Sequence, residues 1–256
     1  MNNAQTILIP SELVKILKSA KSVVALTGAG VSAESGISTF RDPNGGLFTK
    51  YNVEEVATPE GFKKNPKLVW EWYSTRREKV RKAQPNPGHV ALARLEKIFP
   101  NFTLITQNVD GLHQKAGSKN VIELHGNIMR NKCFANSHPV DIEKLPISSE
   151  IPPQCPICGS PVRPDVVWFG EFLDPDILSE AEKATKNADL FLSIGTSSVV
   201  YPAAGFISLA KEFCATVVEI NPNETEKSYC ADFVFRHQSG KILPVLLDEL
   251  IRHKNL

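Results

Sequence analysis

A glycine-rich turn follows the first apolar segment of the chain. The segment SVVALT (22–27) leads directly into GAGVSA (28–33), which fits the pattern G-x-G-x-x-A. Glycines at such a turn let the backbone approach a pyrophosphate closely. The polar stretch STFRDPNGGLF (38–48) follows where a dehydrogenase would place a second strand ending in an acidic residue. The pattern therefore predicts dinucleotide binding without the usual layout for hydride transfer, and an ordinary tight turn is the alternative.

Short polar side chains follow three further apolar segments. They lie in TQNVDG (106–111), GTS (195–197) and NPN (221–223). Because the carboxyl ends of parallel strands meet at one edge of a sheet, these amides and hydroxyls should converge there. They suit the hydroxyls of a ribose or a carboxamide, although each cluster alone is equally compatible with a helix cap or a turn.

A tyrosine and an arginine lie three residues apart in WEWYSTRR (70–77), within a segment of helical pattern over 65–84. Tyr73 and Arg76 should therefore share one face of a helix. Such a pair is either part of a solvated charged surface or a fork of donors that holds a carboxylate. The residues alone leave both interpretations open.

The elements that would position these residues alternate along the chain. Amphipathic segments at 11–20, 88–98, 180–186 and 203–211 precede SVVALT, TLITQN, LFLSIGTS and TVVEINPN. This order predicts an α/β fold with a doubly wound, Rossmann-like parallel sheet. Two regions break the alternation, so we expect a smaller, partly helical domain (39–87 and 127–164) inserted into a nucleotide-binding domain (1–38, 88–126 and 165–256).

Composition narrows the class of protein. The 256 residues carry a net charge of +1, which argues against direct recognition of nucleic acid. No apolar run approaches the roughly 20 residues that span a bilayer, and the first residues show no signal or transit pattern. Five cysteines, an odd number, argue against a secreted disulfide framework. We therefore expect a cytoplasmic protein without a membrane partner.

Six motifs occur in an order that resembles a known family. They are GAGVSAESGISTFR, TQNVDGLHQKAG, ELHG, VVWFGE, GTSSVVYPAA and INPN, and the likeness runs from about Lys21 to Leu247. Together they closely resemble the sirtuins, the NAD-dependent protein-lysine deacylases. The resemblance implies an enzyme that transfers an acyl group from a lysine of a protein or peptide to ADP-ribose, releasing nicotinamide and O-acyl-ADP-ribose.

The resemblance also implies roles for single residues. His125 in ELHG matches the base that deprotonates a ribose hydroxyl, and Asn108 and Asp110 match the pair that lines the nicotinamide pocket. The positions that match NAD contacts are Gly28, Ala29, Gly30, Ala33, Ile37, Phe40, Arg41, Gln107, Asn108, Asp110, Gly195, Thr196, Ser197, Asn221, Asn223 and Ser239. The segment from Val166 to Glu171 matches the strand that pairs with substrate peptide, and its candidate contacts are Val166, Trp168, Phe169 and Gly170.

Within this resemblance, Tyr73 and Arg76 match the Tyr-x-x-Arg pair of class III sirtuins, in the helix above the acyl pocket. Simple deacetylases have apolar residues there. The match implies a preference for succinyl- and malonyl-lysine over acetyl-lysine. Arg77 would point about 100° further round the helix, so we expect it on the surface.

Sirtuins usually carry a structural zinc held by two C-x-x-C pairs. Cys155 and Cys158 form one intact pair, whereas Cys133 is followed three residues later by Asn136, a poor zinc ligand. With zinc bound, the predicted small domain would be zinc-ribbon-like. His138 is a candidate fourth ligand, but Pro139 restricts its backbone. The fourth ligand and the occupancy of the site stay open at this point.

Three other functions are compatible with parts of this pattern. A sirtuin-like chain could act mainly as a deacetylase, or as a protein ADP-ribosyltransferase that uses NAD without an acyl pocket. A non-catalytic NAD sensor is the third possibility. The presence of His125, Asn108 and Asp110 argues against the sensor.

Overall fold

The computed structural model describes residues 7–38, 52–145 and 150–254. Phe40 and Arg41, two predicted NAD contacts, lie outside these residues. The helices of the described part are α1 (Ser11–Ser19), α2 (Gly30–Ala33), α3 (Val53–Val56), α4 (Pro59–Lys64), α5 (Pro66–Lys82), α6 (Pro87–Ile98), α7 (Leu112–Lys115), α8 (Pro175–Lys186), α9 (Gly205–Glu212) and α10 (Ser239–Lys254). The strands are β1 (Ser22–Thr27), β2 (Asn101–Thr106), β3 (Val121–Glu123), β4 (Gly126–Cys133), β5 (Val162–Val166), β6 (Leu190–Ile194), β7 (Thr216–Ile220) and β8 (Phe233–Phe235).

Six of the strands form one parallel sheet in the order β3-β2-β1-β6-β7-β8. The four apolar segments recognised in the sequence are β1, β2, β6 and β7, as predicted. The chain first builds outward from β1 to β3 and then returns to β6 on the other side of β1. A doubly wound sheet binds ligands at the carboxyl ends of the strands where its order reverses. In this sheet that point lies between β1 and β6.

Helices cover both faces of the sheet, which confirms the doubly wound fold. On one face, Leu13 of α1, Leu92 of α6 and Leu246 of α10 pack against Val23 and Ala25 of β1. The other face of the same strand meets Ala181 of α8 and Phe206 of α9 through Val24 and Leu26. Burial on both faces explains why β1 is a continuous apolar run without alternation.

Helix α5 begins where Asn65 caps it, accepting a hydrogen bond from the backbone N–H of Leu68 at 3.1 Å. Its inner face packs against β4 and β5 in a separate apolar core whose members are Val56, Phe62, Val69, Trp72, Tyr73, Val80, Ile128, Val166 and Trp168. The expectation for Arg77 was wrong, since this residue is only 5% exposed. Arg77 Nε donates to Ile128 O at 2.6 Å and Nη2 to Arg130 O at 3.3 Å.

Strands β4 and β5 pair as an antiparallel ribbon with an irregular register between Asn127 and Asn131. Of the predicted peptide-pairing segment from Val166 to Glu171, only Val166 lies in a strand, since β5 ends at this residue. The next residues turn instead, with Glu171 N donating to Trp168 O at 3.0 Å and Gly170 at a φ of 87°. The proposed domain boundaries stay a prediction. In the described residues, no helix combines the length and the apolar character needed to cross a bilayer.

Candidate active site

The ends of β1 and β6 touch at the predicted crevice. Gly30 N donates to Gly195 O at 2.8 Å, and Gly28 N donates to Ile194 O at 3.0 Å. A Cβ atom on Gly28 would lie 2.8 Å from Thr196 Cα, and one on Gly30 would lie 2.7 Å from Gly195 O. Side chains are therefore excluded from both positions of the turn, and its backbone packs directly against the residues that follow β6.

Thr196 joins three strand ends. Its hydroxyl accepts a hydrogen bond from Gln107 Nε2 at 3.0 Å, and its carbonyl accepts one from Asn221 Nδ2 at 2.7 Å. Gln107 follows β2 and Asn221 follows β7. The structure thus brings together three of the polar clusters that the sequence placed at this edge.

The other residues assigned to NAD differ in exposure. Ala29 and Ile37 are partly buried, whereas Ala33, Ser197 and Asn223 are exposed. Ser239 is buried at the start of α10, where its hydroxyl lies 3.5 Å from Glu34 Oε1. These assignments stay predictions.

Asn108 and Asp110 are buried and joined through Ser32. Asn108 Nδ2 donates to Gly28 O and to Ser32 Oγ, both at 3.1 Å. Ser32 Oγ donates to Asp110 Oδ2 at 2.8 Å, and Leu112 N donates to Asp110 Oδ1 at 2.9 Å. Burial raises the pKa of Asp110, and these two hydrogen bonds oppose the increase. With both of its amide hydrogens engaged, Asn108 presents its carbonyl oxygen as the remaining acceptor.

Two buried histidines behind this group carried no signal in the sequence. The rings of His89 and His113 lie 4.8 Å apart. His89 Nε2 lies 3.5 Å from Ser32 Oγ, and His113 Nε2 lies 3.0 Å from the hydroxyl of Thr27. Burial lowers the pKa of His89 to about 4 and that of His113 to about 3. Both rings are therefore neutral supports of the turn that holds Asp110 and Asn108.

His125 is oriented by the end of β2. Its Nδ1 lies 3.0 Å from Gln107 O, and because a carbonyl only accepts, Nδ1 carries the proton and Nε2 holds the lone pair. Burial lowers the pKa of His125, although the bond to Gln107 raises it in part. The imidazole is thus neutral at pH 7 and has a free basic nitrogen.

Tyr73 and Arg76, predicted to bind the carboxylate of an acidic acyl group and called here the acyl-reading pair, lie on the inner side of α5. Tyr73 is buried and its hydroxyl accepts a hydrogen bond from Trp168 Nε1 at 2.9 Å. Trp168 is linked to the base, since the preceding Val167 N donates to His125 O at 2.9 Å. The guanidinium carbon of Arg76 lies 4.7 Å from the centre of the Trp72 ring. Burial lowers the pKa of Arg76, while the proximity of Tyr73 and Asp110 raises it.

Four candidate metal ligands cluster beside this core. The ligand atoms of Cys133, His138, Cys155 and Cys158 lie within 4.8 Å of one another. Cys133 Sγ is 3.3 Å from Cys158 Sγ, and His138 Nδ1 is 3.7 Å from Cys155 Sγ. Three thiols and an imidazole form a donor set that suits tetrahedral structural zinc, so the residues fit the ion. His138 would supply the fourth ligand that the sequence left open.

Comparisons with known proteins agree with this geometry. The chain matches the sequence model of the Sir2 family over residues 28–202. It is 52% identical over 229 residues to the NAD-dependent protein deacylase of Aquifex aeolicus (strain VF5), covering 90% of this chain and 95% of that protein. It is 51% identical over 246 residues to the NAD-dependent protein deacylase of Pyrococcus furiosus (strain ATCC 43587 / DSM 3638 / JCM 8422 / Vc1), covering 94% and 98%. The crystal structure of a Sir2 homologue in complex with NAD has a TM-score of 0.88 at 44% identity, covering 96% of this chain and 95% of that one. With a family match over more than half its length and relatives of this identity, the chain belongs to the Sir2 family.

Proposed function

We propose that this NAD-dependent protein deacylase of the Sir2 family removes succinyl and malonyl groups from protein lysines, and acetyl groups more weakly. The products are nicotinamide, O-acyl-ADP-ribose and the free lysine. The observation that supports the acyl preference is the placement of Tyr73 and Arg76 on the inner face of α5. There Tyr73 bonds to Trp168, whose neighbour Val167 bonds to the backbone of the base His125, and Arg76 lies over the ring of Trp72.

NAD, when bound, supplies the ribose that accepts the acyl group. The backbone at Gly28, Gly30 and Gly195 carries no side chains and admits the pyrophosphate. Thr196 and its partner Gln107 offer donors and acceptors to ribose hydroxyls. The carbonyl oxygen of Asn108 accepts a hydrogen bond from the carboxamide. These assignments rest on the close backbone contact at the crevice and on the fixed orientation of Asn108.

His125 acts as the general base through Nε2. Its neutral ring and protonated Nδ1 suit removal of a proton from a ribose hydroxyl at neutral pH. The variant His125→Ala should lose NAD-dependent deacylation while it retains the native circular dichroism spectrum. Full activity in His125→Ala would overturn this role.

The acyl preference follows from the cost of burying charge. A succinyl or malonyl group ends in a carboxylate, which is costly to transfer into an aromatic pocket without a cationic partner. Arg76 offers a planar fork of donors and Tyr73 offers a hydroxyl. Because Arg76 is itself partly removed from water, an anionic group brought beside it is stabilised in turn.

Arg76→Met tests this preference against Arg81→Met, which removes an exposed arginine from the same helix. A hydrogen bond to a charged group contributes about 1.5–3 kcal/mol, so desuccinylation by Arg76→Met should fall by roughly 10- to 150-fold in kcat/KM. Deacetylation should fall far less, and Arg81→Met should match the unmodified protein on both peptides. An equal loss on succinyl- and acetyl-lysine peptides would mean that Arg76 supports the fold and reads no carboxylate.

Mass spectrometry of the products separates the alternatives. O-acyl-ADP-ribose identifies deacylation, whereas a mass increase on the protein substrate identifies ADP-ribosyl transfer. A deacetylase proper would turn over the acetyl peptide faster than the succinyl peptide. We also propose a reducing, cytoplasmic compartment, because none of the five cysteines forms a disulfide.

A further inference from the structure

The hydroxyl of Tyr73 receives a hydrogen bond that fixes what it can do next. Trp168 Nε1 lies 2.9 Å from Tyr73 Oη, and both side chains are buried. An indole N–H only donates, so the tyrosine oxygen is the acceptor. In the part of the chain that the structure describes, Trp168 is the one hydrogen-bond partner of this hydroxyl. The O–H of Tyr73 therefore has no acceptor among the described residues and can donate to a bound acyl group.

The phenol keeps this proton under working conditions. Burial raises the pKa of Tyr73, whereas Arg76 lowers it in part. The hydroxyl is accordingly neutral at pH 7 and able to donate. A donor that itself accepts a hydrogen bond is polarised and donates more strongly.

Trp168 is held from two sides by charged groups. The guanidinium carbon of Arg163 lies 3.3 Å from the centre of the Trp168 ring. Arg163 Nη2 donates to Glu171 Oε2 at 2.9 Å and to Val166 O at 2.7 Å, and Trp168 N donates to the same Glu171 oxygen at 2.8 Å. Arg163 is 2% exposed. The backbone and ring of Trp168 are thus fixed together, so its N–H points at a constant position.

We propose that Trp168 is a specificity-determining positioning residue, whose indole N–H directs the Tyr73 hydroxyl to donate to the carboxylate of an acidic acyl group. It acts through Tyr73 and adds nothing for an acetyl group, which has no carboxylate. This inference rests on the proposed preference for acidic acyl groups. A role in packing alone would affect all acyl groups alike.

The test replaces Trp168 by benzothienylalanine, an isostere in which sulfur stands for the N–H, and by phenylalanine (Trp168→Phe). The measured quantity is the ratio of kcat/KM for succinyl-lysine to kcat/KM for acetyl-lysine in the same peptide. Loss of one hydrogen bond between neutral groups should lower this ratio by about 3- to 10-fold. In the Tyr73→Phe background the same replacements should leave the ratio unchanged, since there is no hydroxyl to direct.

Arg76→Met, measured in parallel, separates this inference from the proposed function. If Arg76→Met leaves the ratio unchanged, the preference for acidic acyl groups is itself wrong. If Arg76→Met lowers the ratio but the isostere at position 168 does not, the role of Trp168 is overturned while the proposed function stands. Replacement of Trp168 could also lower the ratio of kcat/KM values equally in the natural protein and in the Tyr73→Phe background. That result would overturn the role of Trp168 as well, because Trp168 would then act without Tyr73.

Discussion

Arg77 provides the sharpest test of how α5 is held in place. The change is Arg77→Met, which keeps the aliphatic stem that packs beside Trp70, where the guanidinium carbon now lies 5.1 Å from the ring centre. It removes the donors to Ile128 O and Arg130 O and the bond to Asn131 Oδ1. The two carbonyls lie where the β4–β5 register is irregular. Arg77 therefore satisfies groups in the stretch where the ribbon pairing is interrupted.

The expected change in the free energy of unfolding is the difference between two effects, the hydrogen bonds that are lost and the desolvation cost that is recovered. Three hydrogen bonds to a charged donor contribute about 1.5–3 kcal/mol each. Burial, and to a smaller extent the charge of Arg81, lower the pKa of Arg77 to about 10. That desolvation returns roughly 3 kcal/mol when the cation is removed. Arg77→Met should then lower the free energy of unfolding by about 2–6 kcal/mol.

The assay is urea unfolding followed by tryptophan fluorescence, since Trp70 and Trp72 lie on the same helix. Arg81→Met is the matched control, because Arg81 is exposed on α5 and its removal should change the free energy by less than about 0.5 kcal/mol. Equal midpoints for the Arg77→Met and Arg81→Met variants would refute the reasoning. In that case the buried hydrogen bonds of Arg77 would contribute no net stability.

Two further predictions concern pH and metal. Stability should fall as the pH drops from 6.5 towards 4, because the unfolded chain binds protons there that buried His89 and His113 do not. The loss at pH 5 is about 2 kcal/mol for each histidine. Because His89 stays in place, the difference between the urea midpoints at pH 7 and pH 5 should shrink by about half in His113→Gln, and it should stay unchanged in the exposed control His253→Gln. The purified protein should contain about one zinc per chain, and His138→Ala should lower the zinc content and alter the visible spectrum of the cobalt-substituted protein. An unchanged cobalt spectrum in His138→Ala would exclude His138 as a ligand.

The pattern of apolar residues predicted the longer strands correctly, because the residues that are apolar in the sequence are also the ones that pack in the core. Strands β1, β2, β6 and β7 are five or six residues long and largely apolar, and each ends at the predicted glycine turn or polar cluster. Strands β3 and β8 contain three residues each, too few to show a period. They become strands because they pair with an edge that longer strands have already formed.

The residues whose place in the fold the sequence predicted wrongly, or did not predict, have one thing in common: their partners lie on other elements. Arg77 belongs to a run of charged residues that is typical of a solvated helix face, and only the irregular ribbon opposite explains its burial. His89 and His113 likewise follow no periodic pattern, since their partners come from other elements. His138 was an open candidate because its approach depends on a tight turn, in which Cys133 N donates to His138 O at 2.8 Å and Ser137 has a φ of 54°. No spacing rule in one sequence encodes such a turn.

The β4–β5 ribbon links the base to the acyl-reading pair. Strand β4 begins at Gly126, directly after His125, and a Cβ on Gly126 would lie 2.2 Å from Asp165 O. The two strands are therefore in backbone contact at the end where β5 leads through Val167 to Trp168. Because Val167 N donates to His125 O and Trp168 donates to Tyr73, one end of the ribbon sets the distance between base and acyl pocket. The irregular stretch next to this end binds the guanidinium of Arg77, so the same ribbon also fixes the helix that carries the pair.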